Sequence, residues 1–380
     1  IHCEIDTLKE NVLDLPPLLM IFSCSIGTAI CWRKIFLLIG FSIGYISNSL
    51  LLRFSQTLGI RNKNDVTIRW ANESKPSLGG IGFFASFFFG TIAYAVLFNQ
   101  DNIFQNKQFD GLMLSALMAF VMGLAVDAYN TKPMGKLAVQ IACGFVLYYT
   151  NTRIELFDLS YLNLALTVLW VVGIMNSLNM LDNMDGITGT TSLFIILSCL
   201  TVNFVLYGLN MNIWTLTMLI QLGALISFLR FDIHPSKMFM GDAGSQFIGL
   251  FVSFFAIHEL WSVGESLRLN PFTGALIALI AFTPTLVDTL TVMINRMKKG
   301  KSPMVGGKDH TTHHLVYKGY TDKQVWKLFL IIGFGSLFFT LLSVWFAKQG
   351  NPWYALLFSL YFVSIFGLLY RNTLKYKPKK

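Results

Sequence analysis

Apolar stretches of membrane-spanning length recur along the chain, and polar residues collect between them. Mostly apolar runs fall at residues 35–54, 79–98, 111–126, 136–150, 161–178, 187–207, 212–229, 243–258, 272–294, 325–347 and 353–370. A helix crosses a bilayer with about 20 such residues. The pattern therefore predicts an all-α, polytopic membrane protein of eleven transmembrane helices. A further run, Leu18 to Cys31, holds only 14 residues. It is short for a span and lacks the small-residue cleavage site of a signal peptide, so residues 1–34 read as a poorly defined extension. No soluble domain, low-complexity tract or internal repeat interrupts the series.

Composition agrees with this pattern. Hydrophobic residues make up 54% of the 380 and charged residues 13%, where a soluble domain carries roughly 25% charged residues. The five cysteines (Cys3, Cys24, Cys31, Cys143 and Cys199) form no CxxC pair or Cys/His cluster. Neither a disulfide framework nor a zinc site is indicated.

Charge sets the orientation. With eleven spans, one set of loops comprises residues 53–78, 127–136, 230–242, 295–327 and the tail 371–380, and it holds 22 of the 29 lysines and arginines. The opposite loops hold only Lys107, Arg153, Arg268 and Lys348. By the positive-inside rule the first set is cytoplasmic. The net charge of +9 then reads as topology and as contact of the tail with an anionic leaflet, not as nucleic-acid binding.

The polar clusters "SKPSLGG" (74–80), "VDAYNTKPMGK" (126–136), "NMLDNMDG" (179–186), "FMGDAGSQ" (239–246) and "GGKDHTTHHL" (306–315) all lie in the cytoplasmic set. A carrier would place ionisable groups near the midplane. Asp288 is the clearest such residue here, within a turn or two of the cytoplasmic end. Gathering at one face suits chemistry on a water-soluble substrate.

Asp182 and Asp185 are three apart, so a helical turn puts both on one face. Close carboxylates call for a cation between them, and Mg²⁺ takes hard oxygens and bridges to phosphates. Asn176 and Asn179 extend the same face. The plain alternative is a solvated turn with an Asp N-cap. Asp242 precedes an apolar run between Gly241 and Gly244, where a turn and a helix N-terminus suit either a phosphate or a simple cap. His310, His313 and His314 can bind a metal or a diphosphate, or move protons. With Arg296, Lys298, Lys299, Lys301 and Lys308 they form a positive loop suited to a nucleotide diphosphate; a positive-inside signal explains the lysines equally well.

In order and spacing these clusters resemble the polyprenyl-phosphate N-acetylhexosamine-1-phosphate transferases. The family's Pro-x-x-Gly-Gly element is matched by Pro76, Gly79 and Gly80, and its Asn-x-x-Asp-x-x-Asp-Gly by Asn179, Asp182, Asp185 and Gly186. Its Gly-Asp-x-Gly-Ser falls at Gly241 to Ser245, its Lys-x-x-x-Gln at Lys136 and Gln140, and its histidine motif at Asp309 to His314. Residues 284–303 resemble the undecaprenyl-phosphate N-acetylglucosamine 1-phosphate branch more than the related phospho-N-acetylmuramoyl-pentapeptide transferases.

The resemblance implies a transferase domain over residues 35–370, followed by the basic cytoplasmic tail 371–380, in the bacterial inner membrane. It implies transfer of a sugar 1-phosphate from a UDP-N-acetylhexosamine to undecaprenyl phosphate with release of UMP, starting lipid-linked cell-envelope polysaccharide. Mg²⁺ is the expected ion, with Mn²⁺ as substitute. Asp242, Asn176 and Asp182 are the expected metal ligands. Asp127, Asp182, Asp185, His310 and His313 are the expected catalytic groups. Lys136, Asn179, Arg296, His314, Gly79 and Gly80 are the expected substrate contacts. A homodimer is left open.

One departure stands out. The family carries adjacent aspartates at the end of the third span, and here Val126 takes the first place and only Asp127 remains. A weakened or inactive homologue is therefore one alternative, and a secondary transporter another.

Overall fold

Continuous apolar sequence becomes continuous helix. The computed structural model describes residues 17–55, 75–98, 103–129, 131, 133–208, 212–302 and 307–377. Residues 1–16 of the expected extension, and Pro378, Lys379 and Lys380 of the tail, lie outside these. The helices are α1 (Pro17–Ser55), α2 (Gly79–Leu97), α3 (Lys107–Tyr129), α4 (Pro133–Tyr149), α5 (Ser160–Leu181), α6 (Ile187–Tyr207), α7 (Ile213–Asp232) and α8 (Gly241–Phe255). After α8 the chain continues through a π-helical turn, Ala256–Trp261, and a short helix, Val263–Ser266. Then come α9 (Phe272–Ala281), α10 (Thr283–Lys298), α11 (Thr311–Tyr317), α12 (Asp322–Lys348) and α13 (Trp353–Lys375). Local chemistry sets several starts. The Asn212 side chain accepts from Thr215 N–H ahead of α7, and Thr321 and Gln324 form a capping box ahead of α12.

Nine helices among the described residues are long and apolar enough to cross a membrane, or ten if α9 and α10 together make one span. The remaining one of the eleven expected spans is α4, whose 17 residues fall just short of this length. The expected single span 272–294 is broken: α9 and α10 meet at 84°. Pro284 sits in the first turn of α10, where its missing N–H costs nothing, but it could not have continued α9. The expected boundary after residue 34 falls inside α1, which runs from Pro17 through the first span.

The span Gly241–Ser266 is the centre of the bundle, 83% buried, with α2, α3 and α5 packed around α8. α1 lies on α7, and α6 on α12. Gly40 and Gly223 let α1 and α7 touch: a Cβ on Gly223 would stand 2.1 Å from Leu37 O. Small residues serve such close approach where lipid offers helices no hydrophobic drive to associate. α13 is peripheral, 17% buried, and rests on α9, α10, α11 and α12.

Because the helices run alternately up and down, the C-terminal ends of α3, α5 and α7 meet the N-terminal ends of α2, α4, α6 and α8. Asp127, Asn179 and Asp232 come from the first group, and Gly80, Lys136, Gly186 and Asp242 from the second.

Candidate active site

The first turn of α8 organises this end of the bundle. Asp127, near the end of α3, accepts hydrogen bonds from the Asp242 N–H on Oδ1 at 3.1 Å and from the Ala243 N–H on Oδ2 at 2.8 Å. A carboxylate there satisfies two amides that α8 leaves without helical partners and lies against its positive dipole end. Gly241 turns the chain into the helix at φ +74°, and a Cβ there would press within 2.9 Å of Asp127 Oδ2. Asp127 thus aims Asp242, each of its oxygens accepting one amide N–H of the first turn of α8. Val126 packs against the apolar core.

The Asp242 carboxylate meets Lys136 and Asn179. Lys136 Nζ donates to Asp242 Oδ1 at 2.6 Å and to Asn179 Oδ1 at 2.7 Å. Asn179 Nδ2 donates to Asp242 Oδ1 at 3.0 Å and to Ser245 Oγ at 2.9 Å. Asp242 Oδ2 takes part in neither bond, and the side chain remains 29% exposed. Deeper in the bundle Asn176 and Gln140 exchange amide hydrogen bonds at 2.9 and 3.2 Å, and Gln140 also donates to Gln246 at 2.8 Å. The amide oxygen of Asn176, expected on a metal, is thereby engaged with Gln140.

Asp182 and Asp185 do not share a helical face. α5 ends at Leu181, and Asp182 is its C-cap. Asp185 accepts from Ser236 N–H at 3.0 Å, from Ser236 Oγ–H at 2.8 Å and from His234 Nδ1 at 3.1 Å. It anchors the 233–240 loop. Asp232, which sequence reasoning missed, is buried and accepts from Gly186 N–H at 3.2 Å. Among the described residues no three His, Cys, Asp or Glu side chains converge on a metal position.

Gly79 and Gly80, expected at the substrate, serve packing. Their N–H groups donate to Phe239 O at 3.2 Å and Met240 O at 3.1 Å. A Cβ on Gly80 would stand 2.3 Å from Gly244 N. The pair seats the strand-like segment that leads into α8.

The histidine segment closes the site from α10 and α11. Arg296 binds Asp309 in a two-pronged pair, Nε to Oδ2 at 2.9 Å and Nη2 to Oδ1 at 2.6 Å. Burial raises the Asp309 pKa, but the hydrogen bonds and charge of Arg296 outweigh it and hold the carboxyl below its usual range. His310 Nδ1 lies 2.8 Å from Asp288 Oδ2, and Thr311 N–H and Oγ1–H donate to Asp288 Oδ1 at 2.8 and 2.6 Å. Asp288 therefore positions His310; its signal in the sequence is a carboxylate inside an otherwise apolar run. His313 packs edge-on against His310 with ring centres 5.4 Å apart. Burial, and next the charge of His310, lower its pKa to about 3. His313 is thus neutral at physiological pH and supplies no positive charge. Thr312 Oγ1–H donates to Asn183 Oδ1 at 2.6 Å, tying this segment to the Asp182–Asp185 turn.

Two cavities flank the cluster. One of about 550 Å³ runs between α3 and α4, walled by Leu117, Val121, Ala125 and Val139, with Lys136 also on its lining. The other, about 190 Å³, is lined by Arg296, Lys299, Lys301, Lys308 and Asp309. An apolar groove whose lining includes an ammonium suits a lipid with an anionic head. A small basic pocket suits a phosphate.

Comparison with known proteins agrees with this chemistry. Residues 109–259 match the profile of glycosyl transferase family 4. A probable undecaprenyl-phosphate N-acetylglucosaminyl 1-phosphate transferase of Bacillus subtilis is 26% identical over 268 residues, covering 68% of this chain and 70% of that protein. A phospho-N-acetylmuramoyl-pentapeptide-transferase of Streptococcus agalactiae is 24% identical over 248 residues, 59% of this chain and 73% of its own. A decaprenyl-phosphate N-acetylglucosaminephosphotransferase of Mycolicibacterium smegmatis is 31% identical over 126 residues, 30% of each chain. The matched segment contains Asp127, Lys136, Asn179 and Asp242, so the chain is similar to glycosyl transferase family 4 across the residues that build this site.

Proposed function

We propose that the protein transfers N-acetylglucosamine 1-phosphate from UDP-N-acetylglucosamine to undecaprenyl phosphate, releasing UMP. The observation that carries this reading is Lys136, which lines the apolar groove and at the same time binds Asp242. One cation thus joins a lipid-shaped cavity to an acidic centre. The ammonium has three N–H donors, and two are used by Asp242 and Asn179. The third is left for a phosphate oxygen.

In the reaction an oxygen of the lipid phosphate attacks the β-phosphorus of the UDP-sugar. The bond from that phosphorus to the bridging oxygen breaks, and UMP departs with the electron pair. The lipid then carries the sugar through a diphosphate. Neutralising the assembled anionic oxygens is the main task. Lys136 orients the attacking phosphate, while Arg296 and the lysines around the smaller pocket attract the nucleotide diphosphate. Asp127 holds Asp242 in place. A phosphate monoester has its second pKa near 6, so the nucleophile is largely ionised at neutral pH. The carboxylate absent at Val126 is then not required for its deprotonation, which favours an active enzyme over the inactive homologue.

Mg²⁺ fits Asp242 as a single protein ligand. Its Oδ2 is a hard anionic oxygen outside the hydrogen bonds to Lys136 and Asn179, on a partly exposed side chain. Mg²⁺ keeps several waters and completes its shell with substrate phosphates, so it needs no cage; Mn²⁺ suits the same oxygen. When bound, the ion supplies charge neutralisation at the diphosphate and at departing UMP.

The positive-inside rule supports a cytoplasmic position for this end of the bundle at a bacterial inner membrane, where UDP-sugars and carrier lipid meet and lipid-linked cell-envelope polysaccharide begins. Cysteine labelling is expected to find Ser302 and Lys377 inside and Asn106 outside; labelling of Ser302 from outside intact cells contradicts this orientation. The function is tested with purified protein, Mg²⁺, undecaprenyl phosphate and a panel of UDP-N-acetylhexosamines. Lipid-dependent UMP release, greatest with UDP-N-acetylglucosamine, is expected. A folded protein that releases no UMP with any of them refutes the proposal.

A further inference from the structure

α13 is the most lipid-exposed of the candidate spans, yet its last turns are buried at Leu369, Asn372 and Thr373. They pack against α10 and the histidine segment. Asn295 Nδ2 donates to Thr373 Oγ1 at 2.9 Å, and Lys298 Nζ donates to Tyr370 OH at 2.7 Å. His314 Nδ1 lies 2.5 Å from the backbone carbonyl oxygen of Tyr376, and the Lys318 ammonium stands 5.7 Å from the Tyr376 ring centre. Residues 370–376 thus clasp both α10, which carries Arg296, and α11, which follows Asp309 and His310.

The contact to His314 has a chemical consequence. A carbonyl oxygen only accepts hydrogen bonds, so the proton of the ring must sit on Nδ1. Burial lowers the pKa of His314; the Tyr376 carbonyl opposes this, and the charge of Lys299 adds to the lowering, with a net fall. The neutral ring with Nδ1 protonated leaves Nε2 as a lone-pair acceptor. Nε2 therefore pairs with a hydroxyl or an amide N–H and not with a phosphate oxygen.

We propose that the segment Tyr370–Tyr376 is a positioning element of the transferase site, fixing His314 in the Nδ1–H tautomer so that Nε2 accepts a hydrogen bond from a hydroxyl or amide group of the sugar nucleotide. The inference rests on the transferase reading above. It gives the last span a role: it returns the chain to the face where the histidines work.

The test compares the full chain with a variant ending at Lys375, which loses the Tyr376 carbonyl. KM for the UDP-sugar is expected to rise about tenfold, the value of one hydrogen bond to substrate, with KM for the lipid unchanged. Without the carbonyl the ring gains solvent among Lys298, Lys299, Lys318, Asp288, Asp309 and His313, and kcat/KM for the UDP-sugar is expected to gain an ionisation near the ordinary histidine value, about 6.5. In a His314→Ala background the same shortening is expected to add nothing, because both changes remove one interaction. A Lys377→Gln, Lys379→Gln, Lys380→Gln variant keeps the carbonyl and is expected to match the full chain. If the shortened chain does not fold, Thr373→Val combined with Tyr370→Phe loosens the same clasp and is expected to raise the same KM about threefold. An unchanged KM in a folded loosened variant, an equal rise in the glutamine variant, or additive effects with His314→Ala each overturns the inference. A full-length protein that releases no UMP overturns the transferase reading, and this inference with it.

Discussion

Replacing Lys136 with methionine removes the ammonium while keeping a side chain of similar length against the groove. The Lys136 and Asp242 side chains are 15% and 29% exposed, so solvent screens part of the pair, and its loss should cost about 1 kcal/mol of stability. Catalysis should suffer more. A charge-assisted hydrogen bond to the lipid phosphate is worth about 1.5–3 kcal/mol, and Asp242 also loses its neutralising partner. About 3–4 kcal/mol then leaves the transition state, on the order of 10²–10³ in kcat/KM. Initial rates in detergent across a range of undecaprenyl phosphate concentrations measure it, with thermal unfolding as the control for folding. KM for the lipid is expected to rise and kcat to fall, because the ammonium binds the phosphate before and during attack. Lys136→Arg keeps the charge but not the shape that fits one carboxylate oxygen and one amide oxygen, so an intermediate loss is expected. A folded Lys136→Met enzyme within threefold of the original kcat/KM for the lipid would refute the reasoning.

Three further outcomes follow from the site. Asp242→Asn keeps the shape near a partly exposed position, so the fold should survive while UMP release falls at least about a hundredfold; near-normal turnover at saturating Mg²⁺ removes Asp242 from the ion. Val126→Asp should raise kcat, with a gain that shrinks as pH climbs past the second phosphate pKa near 6; equal rates for both forms at every pH show that a carboxylate there is dispensable. The folded pKa of His313, about 3, lies below the ordinary 6.5, so between those values the unfolded chain binds more protons and stability falls as pH drops. Thermal unfolding from pH 7.5 to 4.5 should show that decline, and His313→Gln should flatten it; an unchanged slope contradicts the assignment.

Lys136, Asn179 and Asp242 were legible because they begin or end apolar runs, and alternating spans place such ends on a common face. Their direct contact was not legible, since the partners lie up to 106 residues apart in the chain. Asp182 and Asp185 misled because spacing of three suggests a shared face only while the helix lasts, and α5 stops at Leu181. Gly79 and Gly80 were read as substrate contacts, and the pattern could not show that the Phe228 ring crowds Gly79 and the backbone of Gly244 crowds Gly80. Pro284 announced the break between α9 and α10; uniform hydropathy on both sides hid it. The pairing of Asp288 with His310, and of Tyr376 with His314, depends on how α10 and α13 return to the same face, and local sequence pattern carries no such information.

The central claim is that the bond broken lies between the two phosphates of the sugar nucleotide. It is tested most directly with UDP-N-acetylglucosamine labelled separately on its α- and β-phosphorus and incubated with the protein, Mg²⁺ and undecaprenyl phosphate. The account requires the β-label to appear in the lipid product and the α-label in UMP. Release of UDP carrying both labels, with unlabelled phosphorus in the lipid product, would contradict it.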